Sequence, residues 1–297
     1  MFAGLSVALV TPFKDGALDE SATERLVDFV VTGGADVLVV AGTTGEAPAL
    51  TRDERRRLYA VVRAANGGRA RLVAGTGTNV TRDTIELTAE VRAAGYDGAL
   101  IVVPYYNKPT PAGLVAHFTA IARAVDLPLI AYNVPGRTGT NMLPDTVVRI
   151  AELPSVVAIK EASGSLDQVS AIRARCDLMV LSGDDSLTLP MLAIGARGVV
   201  SVVGNVAPRP FRDLLTAFAE GRLVDAEAIH RRLVPLMRAL FLESNPSPAK
   251  SLLADMGILA NELRLPLVPV EPATAHALRE AAKAAGIALA DPTGVAR

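Results

Sequence analysis

Leu129-Ile-Ala-Tyr-Asn-Val-Pro-Gly-Arg-Thr-Gly139 opens on a short apolar run and closes in a loop of Pro, Gly and Thr. A strand with one face to water alternates apolar and polar residues; a strand buried on both faces does not. Leu129–Tyr132 is of the second kind. Runs of the same form recur roughly every 30 residues, at Leu5–Val10, Val37–Ala41, Leu72–Ala74, Ala99–Val103, Val156–Ile159, Leu178–Leu181 and Gly198–Val202, a spacing that leaves room for a covering helix. Amphipathic stretches fill the gaps. Ser21-Ala-Thr-Glu24 and Thr51-Arg-Asp-Glu54 both fit a capping box, Thr81 precedes a helical stretch to Ala94, and Pro144 suits a first helical turn. Eight such units predict an α/β fold, a (β/α)8 TIM barrel. After Ala207 the strand signal stops and four helical stretches follow, Arg209–Glu220, Asp225–Phe241, Pro248–Met256 and Thr274–Ala285. The last three predict a C-terminal helical appendage, so that residues 1–224 form the barrel with the active site and 225–297 a helical region packed on it.

Composition agrees with this class and excludes others. Half of the 297 residues are hydrophobic but only 4% are aromatic and none is Trp, so the core is aliphatic, as buried parallel strands require. A net charge of −1, with both signs mixed along the chain, excludes the basic surface that nucleic acid or an anionic membrane needs. No apolar run reaches the ~18 residues of a membrane helix. The single cysteine, Cys176, forms no intrachain disulfide, which fits a reducing compartment, and a cytoplasmic location is expected. His117, His230 and His276 stand apart from other ligands, so no metal site is expected. Gly75-Thr76-Gly77 lacks dinucleotide-fingerprint spacing, and no cofactor is expected.

In a barrel of this kind, chemistry sits at the C-terminal ends of the strands. Strand two ends in Gly42-Thr43-Thr44-Gly45-Glu46, strand four in Pro104-Tyr105-Tyr106-Asn107, strand six in Lys160-Glu161-Ala162 and strand seven in Ser182-Gly183-Asp184-Asp185. Lys160 is the sharpest of these signals. Of 30 basic residues only Lys14, Lys108, Lys160, Lys250 and Lys283 are lysines, so a lysine closing an apolar strand in so arginine-rich a chain calls for a reason. Arginine cannot form an imine; a buried amine can. The ordinary alternative is an ion pair with Glu161, but neighbouring strand positions point to opposite faces. Thr43-Thr44-Gly45 is a strand-to-helix turn suited to a small carboxylate, or simply a turn. Tyr106 and Tyr132 lie where a phenol can relay protons, and Arg137 can clamp a second carboxylate. Together these groups describe a class I aldolase. A 2-oxo acid forms an imine on Lys160, becomes an enamine and attacks an aldehyde.

Five motifs in order, Gly42–Glu46, Pro104–Asn107, Tyr132–Gly139, Ile159–Ala162 and Ser182–Asp185, with Asn245-Pro-Ser-Pro248 beyond them, resemble those of the dihydrodipicolinate synthase family over nearly the whole chain. The resemblance implies condensation of pyruvate with L-aspartate 4-semialdehyde in lysine and diaminopimelate biosynthesis. It implies Lys160 as the imine-forming residue and Tyr132, Thr43 and Tyr106 as a proton relay, Tyr106 coming from a neighbouring subunit. It places Thr44, Gly183 and the Val200 carbonyl around pyruvate and Arg137 on the semialdehyde carboxylate. It further implies a homotetramer of two tight dimers. In lysine-sensitive members the inhibitor binds at positions matching Ala47, Pro48, Arg52, Arg55, Asn79, Asp83 and Tyr105. Histidines are typical at 52 and 55 and glutamate at 83, so the two arginines and Asp83 imply a degenerate site with weak or absent feedback inhibition. Two other functions remain compatible with the residues: a sister aldolase acting on a 2-keto-3-deoxy sugar acid or N-acetylneuraminate, which would not need Arg137, and a catalytically silent barrel acting as a binding protein.

Overall fold

A computed structural model describes residues 1–290 of the chain, so positions 291–297 of the expected helical appendage lie outside the described residues. The eight apolar runs are all strands: β1 Gly4–Ala8, β2 Val37–Val40, β3 Arg71–Gly75, β4 Gly98–Val102, β5 Leu129–Asn133, β6 Val156–Glu161, β7 Met179–Ser182 and β8 Gly198–Ser201. They close into a barrel in the order 1-8-7-6-5-4-3-2. β2, β5 and β8 are buried at every position, which is why their sequences show no alternation.

Contacts gather into two compact units. The first consists of Met1–Gly4 and Arg71–Val200. Its strands run parallel, with Tyr132 opposite Lys160 and Asn133 opposite Glu161 across β5 and β6, and Lys160 opposite Leu181 across β6 and β7. Its core is aliphatic: Val73, Ile101, Leu129, Ile159 and Val180 are fully buried. The helix Thr81–Ala93 starts one residue before the position its sequence suggests. Thr81 does not cap it; its hydroxyl instead pairs with Nδ1 of buried His117 at 2.9 Å.

The second unit consists of Leu5–Ala70 and the residues from Ser201 onward. The helix Arg52–Asn66 carries the predicted capping box, with Thr51 and Glu54 each bonded to the other's backbone N–H. The helix Glu20–Thr32 departs from expectation: Asp19, not Ser21, caps it by accepting from the Ala22 N–H. The carboxylate two positions earlier reaches the free amides first, which leaves Ser21 exposed in the first turn. The four late helices are Pro208–Ala219, Leu223–Ala239, Ser247–Asp255 and Pro272–Ala284, and Leu214, Leu233, Leu252 and Leu278 fill the space among them. A hairpin that the apolar runs do not reveal, Phe13–Lys14 with Ala17–Leu18, turns on Asp15-Gly16, both at positive φ. Among the described residues, no helix is long and apolar enough to cross a membrane.

Candidate active site

In the first unit, the register of β5 against β6 sets Tyr132 beside Lys160. The ammonium nitrogen lies 4.1 Å from the Tyr132 ring centroid, and both side chains are buried. Glu161 takes no part in this pairing. Being the next residue of the strand, it points to the other face, where its carboxylate accepts from Asn133 Nδ2 at 3.1 Å, Gln168 Nε2 at 3.2 Å and the Ser163 N–H at 2.8 Å. Burial pushes the Glu161 carboxyl above the usual carboxylate range, and these hydrogen bonds oppose the shift. Burial likewise raises Asp184, with the charge of Lys160 acting the other way.

Gly183 is required where it stands. A Cβ there would come 2.5 Å from the Ala162 Cβ and 3.2 Å from the Lys160 Cε, so any side chain would press on the lysine stem. Val200 is buried within β8. Arg137 is exposed on the one-turn helix Pro135–Thr138, which Gly139 ends at φ +70°. Tyr106 is 88% exposed and holds φ +72°, a left-handed conformation uncommon for a tyrosine.

In the second unit, the loop after β2 is a tight turn. The Gly45 N–H donates to the Gly42 carbonyl and the Glu46 N–H to the Thr43 carbonyl. Thr43 is exposed; Thr44 is buried and its hydroxyl accepts from Asn245 Nδ2 at 2.9 Å. Beyond it, Glu46 meets Lys250 at 2.5 Å, an ion pair with almost no exposure on either side. Lys250 also donates to the Glu262 carbonyl at 2.8 Å and covers the Phe13 ring at 4.2 Å.

Of the positions at which the resemblance implies a lysine site, several are engaged locally. Arg55 donates to the Ala47 carbonyl at 2.6 Å, and Asp83 accepts from Arg82 at 3.0 Å. The Asn79 carbonyl accepts from Asn107, Arg52 is exposed, and Tyr105 is 38% exposed. Among the described residues, no cluster of His, Cys, Asp and Glu is arranged to hold a metal ion.

Sequence reasoning quoted Asn245 within a motif but gave it no role, and it passed over the Asn245–Thr44 contact, the Glu46–Lys250 pair and the network behind Glu161. Lys250 carried a signal of its own, as one of five lysines among many arginines.

The model of the dihydrodipicolinate synthetase family matches residues 1–285. The chain is 50% identical over 289 residues to a 4-hydroxy-tetrahydrodipicolinate synthase of Pelobacter propionicus, covering 97% of this chain and 100% of that one. It is 48% identical over 293 residues to an enzyme of the same name from Thermotoga neapolitana, again over 97% and 100%. A crystal structure of dihydrodipicolinate synthase from Aquifex aeolicus superposes with a TM-score of 0.95 at 44% identity, covering 98% of this chain and 100% of that one. Likeness of this extent and identity comes from common descent, and the chain belongs to the dihydrodipicolinate synthetase family.

Proposed function

We infer that the chain condenses pyruvate with L-aspartate 4-semialdehyde, the reaction of a 4-hydroxy-tetrahydrodipicolinate synthase in lysine and diaminopimelate biosynthesis. The observation that carries this is Lys160, buried against Tyr132 while Glu161 is held on the opposite face of the strand. The amine adds to the C2 carbonyl of pyruvate and water leaves, giving an imine. Loss of a C3 proton gives an enamine, whose carbon bonds to the aldehyde carbon of the second substrate. The amino group of that substrate then adds to C2, which closes the ring and frees Lys160.

In this reading Tyr132, Thr43 and Tyr106 move the protons. Thr44, Gly183 and the Val200 carbonyl surround pyruvate, with Thr44 donating to its carboxylate. Arg137 binds the carboxylate of the semialdehyde and separates this activity from sugar-acid cleavage. The exposed, left-handed Tyr106 suits a residue donated to a neighbouring subunit, in a homotetramer of two tight dimers. The barrel, residues 1–224, carries the chemistry, and the enzyme acts in the cytoplasm without a cofactor.

Two measurements test the reading. Borohydride with pyruvate traps a reduced adduct that peptide mapping places on Lys160, and Lys160→Arg abolishes it. A coupled assay detects product from pyruvate and aspartate semialdehyde. An adduct on Lys250, or no adduct, would overturn the mechanism; turnover of a sugar acid with none of the semialdehyde would overturn the substrate.

A further inference from the structure

The structure assigns Asn245, which lies between the helices Leu223–Ala239 and Ser247–Asp255, as a positioning residue that aims the Thr44 hydroxyl at the pyruvate carboxylate. The inference rests on the reading of Thr44 given above.

A threonine hydroxyl carries one hydrogen and two lone pairs. Asn245 Nδ2 donates to the Thr44 oxygen at 2.9 Å, within a buried pair. With a lone pair of Thr44 occupied by an N–H, its own hydrogen cannot point back along that bond and must be offered elsewhere. A carboxylate accepts only, so a hydroxyl committed to donating is the matching partner. Turned the other way, the Asn245 amide would present its oxygen and draw the Thr44 hydrogen inward.

A second observation points the same way. The Asn245 Oδ1 is buried and has no hydrogen-bond partner. Such a group is costly, and one that served packing alone would do better as an apolar residue. The neighbouring contacts hold the geometry. Two residues beyond Thr44, Glu46 is paired with Lys250 and accepts from the Arg264 N–H at 3.0 Å. The turn is therefore fixed at its carboxylate as well as at its hydroxyl.

A double-mutant cycle tests this, read as the pyruvate concentration that half-saturates borohydride trapping, together with KM and kcat for both substrates and the thermal midpoint of each variant. Thr44→Val removes the hydroxyl and should raise half-saturation about tenfold or more. Asn245→Ala should raise it about three- to tenfold in the parent but less than about twofold in Thr44→Val, because its effect passes through that hydroxyl. The KM for the semialdehyde should stay unchanged. Asn245→Asp, of the same shape but able only to accept, should weaken pyruvate at least as much as Asn245→Ala while the protein remains folded. Equal factors for Asn245→Ala in both backgrounds, or parental half-saturation in Asn245→Asp, would overturn the inference while leaving Thr44 on the carboxylate. A neutral Thr44→Val would overturn the reading of Thr44 itself, and this inference with it.

Discussion

Replacing Lys250 by Met removes a charge and leaves the shape nearly intact. In the parent, the Lys250 ammonium sits at 2.5 Å from a Glu46 oxygen, with 0% and 1% of the two side chains exposed. Burial lowers the Lys250 pKa, opposed by the Glu46 carboxylate, so each charge is tolerated chiefly because the other is present. Without the ammonium, Glu46 keeps the Arg264 N–H, and the Glu262 carbonyl loses its donor. Breaking one side of a buried pair costs about 3–5 kcal/mol. At about 2–4 °C per kcal/mol, the thermal midpoint should fall by at least about 6 °C. The double variant Glu46→Gln/Lys250→Met removes both charges and keeps a carbonyl for the Arg264 N–H. It should recover most of the loss, since a well-packed neutral replacement of a buried pair is often neutral or better. Urea unfolding and calorimetry of the three proteins decide the matter. A Lys250→Met protein as stable as the parent, or a double variant no better than the single, would refute the view that the pair is held by mutual compensation.

Arg137→Ala should lower kcat/KM for aspartate semialdehyde about tenfold to hundredfold, the loss of one charge-assisted hydrogen bond, while pyruvate trapping stays near parental; unchanged kinetics would move the arginine out of the site. L-lysine titrated at a pyruvate concentration near KM should inhibit weakly or not at all, because Arg52 and Arg55 bring positive charge and Asp83 is already engaged by Arg82; strong inhibition at sub-millimolar lysine would contradict this. Tyr106→Phe should lower kcat with little change in the thermal midpoint, and separating the proposed tight dimer should have the same effect; a fully active monomer in sedimentation would end the shared-site reading. Burial lowers His117 from 6.5 to about 4. Between those values the unfolded chain binds a proton that the native chain does not, so stability should fall as pH drops through this window. His117→Gln should make that fall shallower in urea titrations, and an unchanged slope would show that His117 is not its source.

The barrel was legible because its strands are buried on both faces, so unbroken runs such as Val37–Val40 recur eight times with amphipathic stretches between them. Lys160 was legible because an amine that closes such a run stands out against arginine. Tyr132 was singled out by its strand-end position, and the register places it directly across from Lys160. Hairpin Phe13–Leu18 escaped because each arm is two residues long, although Asp15-Gly16 is a strong turn dipeptide. The Asn245–Thr44 contact and the Glu46–Lys250 pair escaped for a different reason. Each joins residues about 200 positions apart, through single side chains that carry no periodicity, and only the folded chain brings them together. The cap of the first helix shows the local version of the problem. The capping-box pattern pointed to Ser21, and Asp19, two residues earlier, is the residue that accepts from the Ala22 N–H.

The network behind Glu161 also bears on how this scaffold changes over evolutionary time. Asn133, on the strand, donates to Asn141 at 2.8 Å and accepts from the Met142 N–H at 2.9 Å, and Gln168 ties Asn141 from behind at 3.0 Å. The segment 135–140, which carries Arg137, is thus spliced between two fixed anchor points on the side of the strand away from Lys160. Exchange of its exposed residues should therefore leave the register of Tyr132 against Lys160 intact. On the proposed reading, a lineage built this way would vary the aldehyde partner through this segment while the lysine that activates the 2-oxo acid stays in place, and a graft confined to 135–140 is the engineering counterpart.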